Sequence, residues 1–250
     1  MTIALEEATR LIKNARHLTA FTGAGISVES GIPPFRGENG LWSKYDPQIL
    51  DLTFFFQNPK ASWSVIKEIF YDFFGKAEPN DAHKGLARLE AHGLVKEIIT
   101  QNIDNLHQEA GSKVIHEFHG NSQKIICTSC QKTFPASGVN LKKLPPLCLE
   151  CNSLLKPDFI FFGEGIPQHA YQASILAAEK SDVFILIGTT GEIMPACQIP
   201  MIAKQSGTKI IEINPEVSKF TSTITDVFLK EKASVVMNQI IKSLELQDEK

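Results

Sequence analysis

The sequence predicts an α/β fold in which helices cover both faces of a parallel sheet and a smaller second domain is attached. Apolar strand candidates alternate with helical patterns along most of the chain, as in parallel sheets that are buried on both faces. Two stretches interrupt this alternation: an aromatic-rich segment at 38–80 and a segment at 122–156 that contains four cysteines. We expect these two stretches to form the smaller domain, and 1–37, 81–121 and 157–250 to form the larger one.

The predicted elements start with a helix at Ile3–Arg16, where apolar residues recur at helical spacing. A buried strand, His17–Gly23, follows and enters a glycine turn. Later segments predict four more strands, at Val95–Thr100, Phe159–Phe162, Val183–Gly188 and Lys209–Asn214. Helical patterns lie between them, near 82–92, 168–179 and 195–206.

The composition limits the class of protein. A chain of 250 residues with 43% hydrophobic content can bury a sizeable core. The 25 Lys and Arg residues nearly balance the 28 Asp and Glu residues, so the charge does not favour a nucleic acid or an anionic membrane as the partner. The first residues lack the pattern of a signal peptide, and no apolar run reaches membrane-spanning length. We expect a cytoplasmic monomer.

Four of the five cysteines give the sharpest single pattern. Cys127 and Cys130 form one Cys-x-x-Cys pair, and Cys148 and Cys151 form a second at zinc-ribbon spacing. Such pairs favour metal binding in a reducing compartment over a disulfide framework. Four thiolates complete a tetrahedral site and leave no position for water, so we expect one structural Zn²⁺. The alternative is that they are free or redox cysteines; Cys197 is interpreted as a small core residue.

The glycine turn after the first strand is less specific. Gly23, Ala24 and Gly25 are small enough for backbone amides to approach a pyrophosphate. The third glycine of the dinucleotide-binding fingerprint is replaced by Val28, however, and the next predicted strand lies far downstream. Taken alone, the turn fits a nucleotide site and a tight structural turn equally well.

Several motifs together resemble those of the sirtuin family in their order and spacing. They are GAGISVESGIPPFRG (23–37), TQNIDNLH (100–107), HGN (119–121), the four cysteines, FFGE (161–164), GTT with PA (188–190 and 195–196) and IN (213–214). The resemblance covers nearly the whole chain. It implies a Rossmann-like NAD-binding domain and a smaller domain made of a zinc ribbon and a helical module. NAD and an acyl-lysine substrate are then expected in the cleft between them, outside the carboxyl ends of the strands.

The activity that this resemblance implies is NAD-dependent deacylation of protein lysine, with release of nicotinamide and O-acyl-ADP-ribose. His119 matches the catalytic histidine of the family, and imidazole suits a base that acts near neutral pH. The remaining histidines are interpreted as surface or satisfied core residues. An ADP-ribosyltransferase with the same NAD site, a dehydrogenase and a nucleic-acid-binding zinc module are the alternatives.

The resemblance also implies the binding residues. Gln101 and Asn102 are expected at the nicotinamide ribose, with Asn102 also in a catalytic role. Ile103 and Asp104 are expected at the carboxamide, although Asp104 could instead cap the helix that follows. The other expected cofactor contacts are Gly23, Ala24, Gly25, Phe35, Arg36, Gly188, Thr189, Thr190 and Asn214. The expected substrate contacts are Phe161, Phe162, Gly163 and Glu164.

Three departures from the family pattern concern specificity. Pro34 stands where many sirtuins have an acidic residue, and the segment LKEKAS (229–234) lacks a glycine often found near the adenine. Sirtuins that prefer succinyl or malonyl lysine carry a Tyr-x-x-Arg pair, and Lys67 and Phe70 occupy those two positions here. We therefore expect an apolar pocket for uncharged acyl groups. Alternatively, Lys67 and Tyr71, one helical turn apart, could form a carboxylate site of a desuccinylase or demalonylase.

Overall fold

The computed structural model describes residues 2–36 and 40–246. The strands are β1 (Leu18–Thr22), β2 (Val95–Thr100), β3 (Ile115–Glu117), β4 (Gly120–Cys127), β5 (Thr133–Pro135), β6 (Leu155–Phe159), β7 (Val183–Ile187), β8 (Lys209–Ile213) and β9 (Val227–Leu229). The helices are α1 (Ile3–Asn14), α2 (Leu52–Gln57), α3 (Pro59–Ile66), α4 (Asp81–Ala91), α5 (Leu106–Glu109), α6 (Gln168–Lys180), α7 (Gln198–Gln205) and α8 (Ala233–Ser243).

Six strands form a parallel sheet in the order β3-β2-β1-β7-β8-β9. All five residues of β1 and of β7 are buried, as expected for central strands covered on both faces. Helices α1, α4 and α8 pack on one face, whereas α6 and α7 pack on the other. The strand order reverses at β1, which is where an open α/β sheet forms its ligand crevice. The predicted α/β class is therefore confirmed.

A second, antiparallel sheet has the order β5-β4-β6. It packs against the aromatic-rich helical segments in a separate hydrophobic core. Trp63 of α3 joins the two parts, since its indole Nε1 donates to the carbonyl oxygen of Leu155 at 2.8 Å. A π-helical stretch, Lys67–Phe73, continues from α3.

The predicted strand at Phe159–Phe162 is wrong. The strand observed there is β6, Leu155–Phe159, and it belongs to the antiparallel sheet. The apolar run continues past its end, but the chain turns away, and Phe162 exchanges backbone hydrogen bonds with Leu50 and Leu52 at 2.8 and 3.0 Å. Apolar residues at this point wall a cavity, so their hydrophobicity did not mark a strand of the main sheet.

Other boundaries shift by smaller amounts. Helix α7 begins at Gln198, after the Met194–Pro195 segment, although the pattern started at 195. The short strands β3 and β9 and the last helix, α8, were not predicted. Within residues 2–36 and 40–246, no helix combines the length and the apolar character that a bilayer crossing requires.

Candidate active site

A cavity of about 790 Å³ opens at the carboxyl ends of the central parallel strands. It is lined from one side by residues that follow β1, β2, β7 and β8, and from the other by the segment that follows β6. The structure brings nearly all of the predicted site residues together here. The lining includes Gly23, Ala24, Gly25, Phe35, Arg36, Gln101, Asn102, Ile103, His119, Phe161, Phe162, Gly163, Glu164, Gly188, Thr189, Thr190 and Asn214.

The glycine turns after β1 and β7 pack directly against each other. The Gly25 amide donates to the carbonyl oxygen of Gly188 at 2.8 Å. A Cβ on Gly25 would lie 2.5 Å from the Cα of Gly188, and Gly188 itself has a φ of 63°. Glycine is required at both positions by this close approach. The turn is therefore structurally constrained and also lines the cavity, so the structural requirement is compatible with a nucleotide site at these glycines, which stays a prediction.

Asn102 is held at the base of the cavity by a buried polar network. Its side-chain amide donates to the carbonyl oxygen of Gly23 at 3.1 Å and to the hydroxyl of Ser27 at 3.2 Å. Behind Ser27, the Nε2 of His83 lies 3.4 Å from the same hydroxyl oxygen. Burial lowers the pKa of His83 to about 4, so this imidazole is neutral near pH 7. The network fixes the orientation of the Asn102 amide.

Asp104 falls outside the cavity lining. One of its carboxylate oxygens accepts from the Ser27 hydroxyl at 2.7 Å, and the other accepts from the Leu106 amide at 3.0 Å, at the start of α5. Burial raises the pKa of Asp104, and the hydrogen bonds from Ser27 and Leu106 oppose that shift. The carboxylate thus supports both the helix start and the Ser27–Asn102 network.

His119 lies where β3 passes into β4, and its ring lines the cavity. Its Nδ1 is 3.0 Å from the carbonyl oxygen of Gln101. A carbonyl can only accept, so Nδ1 carries the proton and Nε2 keeps its lone pair. Burial lowers the pKa of His119, and the bond to Gln101 partly opposes this. The neutral tautomer is the form that can accept a proton.

The opposite wall of the cavity is aromatic. Phe161 is buried, stacks on Phe159 with ring centroids 5.4 Å apart, and meets Phe55 edge-on at 5.1 Å. Phe162 faces Trp42 at 6.3 Å. An apolar wall of this kind fits the aliphatic stem of a lysine side chain.

The four predicted metal ligands converge away from this cavity. All four sulfur atoms lie within 4.8 Å of one another. The Sγ atoms of Cys127 and Cys151 are 3.4 Å apart, and those of Cys130 and Cys148 are 3.8 Å apart. Tetrahedral Zn–S bonds of about 2.3 Å require sulfur separations of about 3.8 Å. The thiols therefore fit one structural Zn²⁺ with four protein ligands.

Comparison with known proteins assigns the chain to a family. Residues 23–195 match the family model described as the Sir2 family. The chain belongs to the Sir2 family. An NAD-dependent protein deacylase of Thermococcus kodakarensis is 44% identical over 95% of each chain, and NAD-dependent protein deacylase 2 of Archaeoglobus fulgidus is 40% identical over 98% of each chain. The predicted sirtuin resemblance is confirmed.

Solved Sir2 structures have the same fold. A complex of a Sir2 variant with a deacetylated p53 peptide and 3′-O-acetyl ADP ribose superposes with a TM-score of 0.91 at 36% identity, covering 97% of this chain and 99% of that one. A Sir2 homologue in complex with NAD gives 0.88 at 39% identity, covering 96% and 93%.

In this Sir2 chain, the helical segment places Lys67 and Tyr71 outside the cavity lining. Lys67 pairs with Asp72 at 2.8 Å, and Tyr71 stacks on Trp63. Phe70 lies behind the wall, with its ring 5.0 Å from that of Phe159. Lys67 and Tyr71 therefore have different partners, and neither side chain lines the cavity in which a carboxylate site would be needed.

Sequence reasoning missed several residues of the Sir2 cavity. His83, which was interpreted as a surface or core residue, is buried in the core behind the cavity lining, where its Nε2 contacts the Ser27 hydroxyl. Lys232 and Ala233 line the cavity just where α8 begins, and Met194 lines it before α7. Lys232 and Ala233 belong to the segment 229–234 that was noted for the adenine side without an assigned contact. Met194 stands in no pattern that marks a site, because a single residue carries no spacing information.

Proposed function

We propose that this chain is an NAD-dependent protein-lysine deacylase that transfers the acyl group to ADP-ribose and releases nicotinamide. One observation carries the proposal. A single cavity combines a neutral histidine, a polar edge after β1, β2 and β7, and an aromatic wall. The relatives named NAD-dependent protein deacylase support it.

Each side of the cavity has a separate task in this proposal. The glycine turns, Thr189 and Thr190 receive the phosphates, and Asn214 receives the adenine-side ribose. Phe35 and Arg36 cover the reactive face, and Asn102 orients the nicotinamide ribose through its fixed amide. NAD, when bound, supplies the ribose carbon that the acyl oxygen attacks and the nicotinamide that leaves.

His119 acts after nicotinamide has left. Its Nε2 takes the proton from a ribose hydroxyl, whose oxygen then attacks the acyl carbon. The bond from that carbon to the lysine nitrogen breaks, the free lysine leaves, and one water molecule is consumed to give the O-acyl ester. The aromatic wall holds the acyl-lysine stem in line with the ribose oxygen. The bond from Nδ1 to Gln101 keeps the imidazole in the tautomer that this proton transfer requires.

The direct test is to incubate the protein with NAD and an acetyl-lysine peptide. We expect mass spectrometry to find free lysine peptide, nicotinamide and O-acetyl-ADP-ribose in equal amounts. ADP-ribosylated peptide with the acetyl group still present would instead favour the transferase alternative.

The acyl preference is expected to exclude charged groups. The aromatic wall itself, Phe159, Phe161 and Phe162, carries no charge to pair with a succinyl carboxylate. Of the cations nearby, Lys67 is paired with Asp72 outside the lining, and the Lys156 ammonium behind Phe161 is paired with Glu164. Arg36, which also lines the cavity, is assigned in this proposal to the reactive face of NAD. Burying that carboxylate without a partner costs several kcal/mol, so kcat/KM for succinyl-lysine should be lower by about 100-fold or more than for acetyl-lysine. Matched acetyl, butyryl, myristoyl and succinyl peptides test this. A succinyl substrate that exceeds all three uncharged ones would contradict the apolar pocket.

The pH dependence follows from His119. Burial lowers the pKa of this imidazole from its ordinary value of 6.5. The neutral form is the active one, so the base stays competent as the pH falls and is lost only when the pH passes through the lowered pKa. We expect the acidic limb of the kcat/KM profile to lie below pH 6.5. A limb centred above pH 7 would show that a different group controls the rate.

The cellular setting belongs to the same proposal. Reduced cysteines are needed to bind zinc, which supports a reducing compartment such as the cytoplasm. The near balance of acidic and basic residues supports protein substrates over nucleic acid. We propose that the protein is a monomer and that its domains divide at 37/38, 80/81, 121/122 and 156/157; the first of these boundaries lies outside the described residues.

A further inference from the structure

The side chain of Lys156, in β6, is buried beside the aromatic wall but is not part of the cavity lining. Burial lowers the pKa of Lys156, and the carboxylate of Glu164 opposes that shift. A buried ammonium is costly unless each of its N–H groups has a partner. The partners of this ammonium therefore indicate what it holds in place.

The three donors of Lys156 have three acceptors. The Nζ donates to the carbonyl oxygens of Pro157 at 3.0 Å and Phe159 at 2.7 Å. It also lies 3.0 Å from the Oε2 atom of Glu164. An ammonium has three donors and no acceptor, so this set is complete. In addition, Nζ lies 4.3 Å from the ring centroid of Phe161, within cation–π range.

Glu164 links the ammonium of Lys156 to the backbone of the cavity wall. The same Oε2 atom accepts from the amide of Phe161 at 2.9 Å, and the amide of Glu164 donates to the carbonyl oxygen of Phe161 at 3.0 Å. Gly163, with a φ of 85°, permits the tight turn between them. Lys156 thus fixes a carboxylate that in turn satisfies the backbone of Phe161.

We propose that Lys156 is a positioning residue for acyl-lysine binding, which holds the turn at 161–164 and the Phe161 ring in the shape that receives the substrate. The proposal rests on the proposed deacylase function. The turn belongs to the substrate side of the cavity, whereas the proposed NAD contacts follow β1, β2, β7 and β8. Loss of Lys156 should therefore weaken acyl-peptide binding and leave NAD binding unchanged.

The first test is Lys156→Met, which keeps an unbranched apolar side chain and removes the ammonium. We expect KM for an acetyl-lysine peptide to rise about tenfold or more, while KM for NAD changes by less than about twofold and kcat by less than about threefold. Lys124→Met is the matched control, because Lys124 is exposed on the neighbouring strand β4. This control should behave as the parent enzyme.

Glu164→Gln provides a second test that leaves the core intact, because the Glu164 side chain is 28% exposed. Glutamine keeps an acceptor for the Phe161 amide but no charge for Lys156, so peptide KM should rise by a smaller factor than in Lys156→Met. If Lys156→Met does not fold, this variant alone decides. Unchanged peptide KM in the folded variants, or an equal rise in both KM values, would overturn the positioning role. A parent enzyme without deacylase activity would instead overturn the proposed function.

Discussion

Replacing His119 by alanine is expected to reduce deacylation by about 10²-fold to 10⁴-fold, the range for loss of a positioned general base. The ring is held at the cavity by one hydrogen bond to Gln101 and an edge contact with Phe118. Its loss should leave zinc content and NAD binding unchanged. Because the base acts after nicotinamide departs, the variant should still release nicotinamide in the presence of acyl peptide.

His116→Gln is the matched control for this variant. His116 lies three residues earlier, on β3, and its Nε2 contacts Glu97 at 2.6 Å. It falls outside the cavity lining, so its substitution should leave kcat within about twofold of the parent. Near-native turnover in His119→Ala, measured by peptide mass spectrometry, would show that another group takes the proton.

Replacing Cys148 by serine is expected to abolish zinc binding and, with it, both stability and activity. The Cys148 side chain is buried within the cluster, and structural zinc sites in small modules contribute folding free energy directly. A loss of several kcal/mol corresponds to a decrease of about 10 °C or more in Tm for a chain of this size. Zinc content by atomic absorption, thermal melting and deacylation should fall together.

Cys197→Ser is the control for the zinc prediction. This thiol is half-buried and lies 3.1 Å from the sulfur of Met194, outside the four-cysteine cluster. The zinc content and Tm of the Cys197→Ser variant should match those of the parent protein. If the parent protein keeps full activity and an unchanged melting transition after exhaustive chelation, the structural role of zinc is refuted.

The central strands were predictable from their buried apolar residues, which form a continuous run in β7 and are interrupted by Thr19 in β1 and by Lys96 and Glu97 in β2. Val95–Thr100 was predicted with the observed ends, and the strand at Lys209 was one residue too long. The apolar run at Phe159–Phe162 gave a wrong strand prediction, because residues that line an apolar cavity are hydrophobic, as the residues of a buried strand are. Strand β9 is three residues long and β3 has no fully buried residue, so neither leaves a pattern to detect.

The candidate site was predictable where motifs have fixed spacing. The four cysteines needed only their own positions, and the cavity residues followed from the family resemblance. The contacts that support the cavity residues could not be predicted from the sequence, because they join distant parts of the chain. Ser27 meets His83, and Lys156 meets Glu164, through side-chain geometry that no local period encodes.

The backbone pairing between β4 and β6 has a mechanical consequence. Gly120, next to His119, pairs with Phe159, and the amide of Ile160 donates to the carbonyl oxygen of His119 at 2.9 Å. The start of the aromatic wall, at Phe159 and Ile160, is thus hydrogen-bonded to the backbone at His119 and Gly120. These contacts couple the position of the aromatic wall to that of His119. His119 is also anchored to the parallel sheet, since its Nδ1 donates to the carbonyl oxygen of Gln101 and the neighbouring Phe118 amide donates to that of Thr100 at 2.9 Å. One short segment, 118–120, therefore sets the distance between the end of β2 and the aromatic wall.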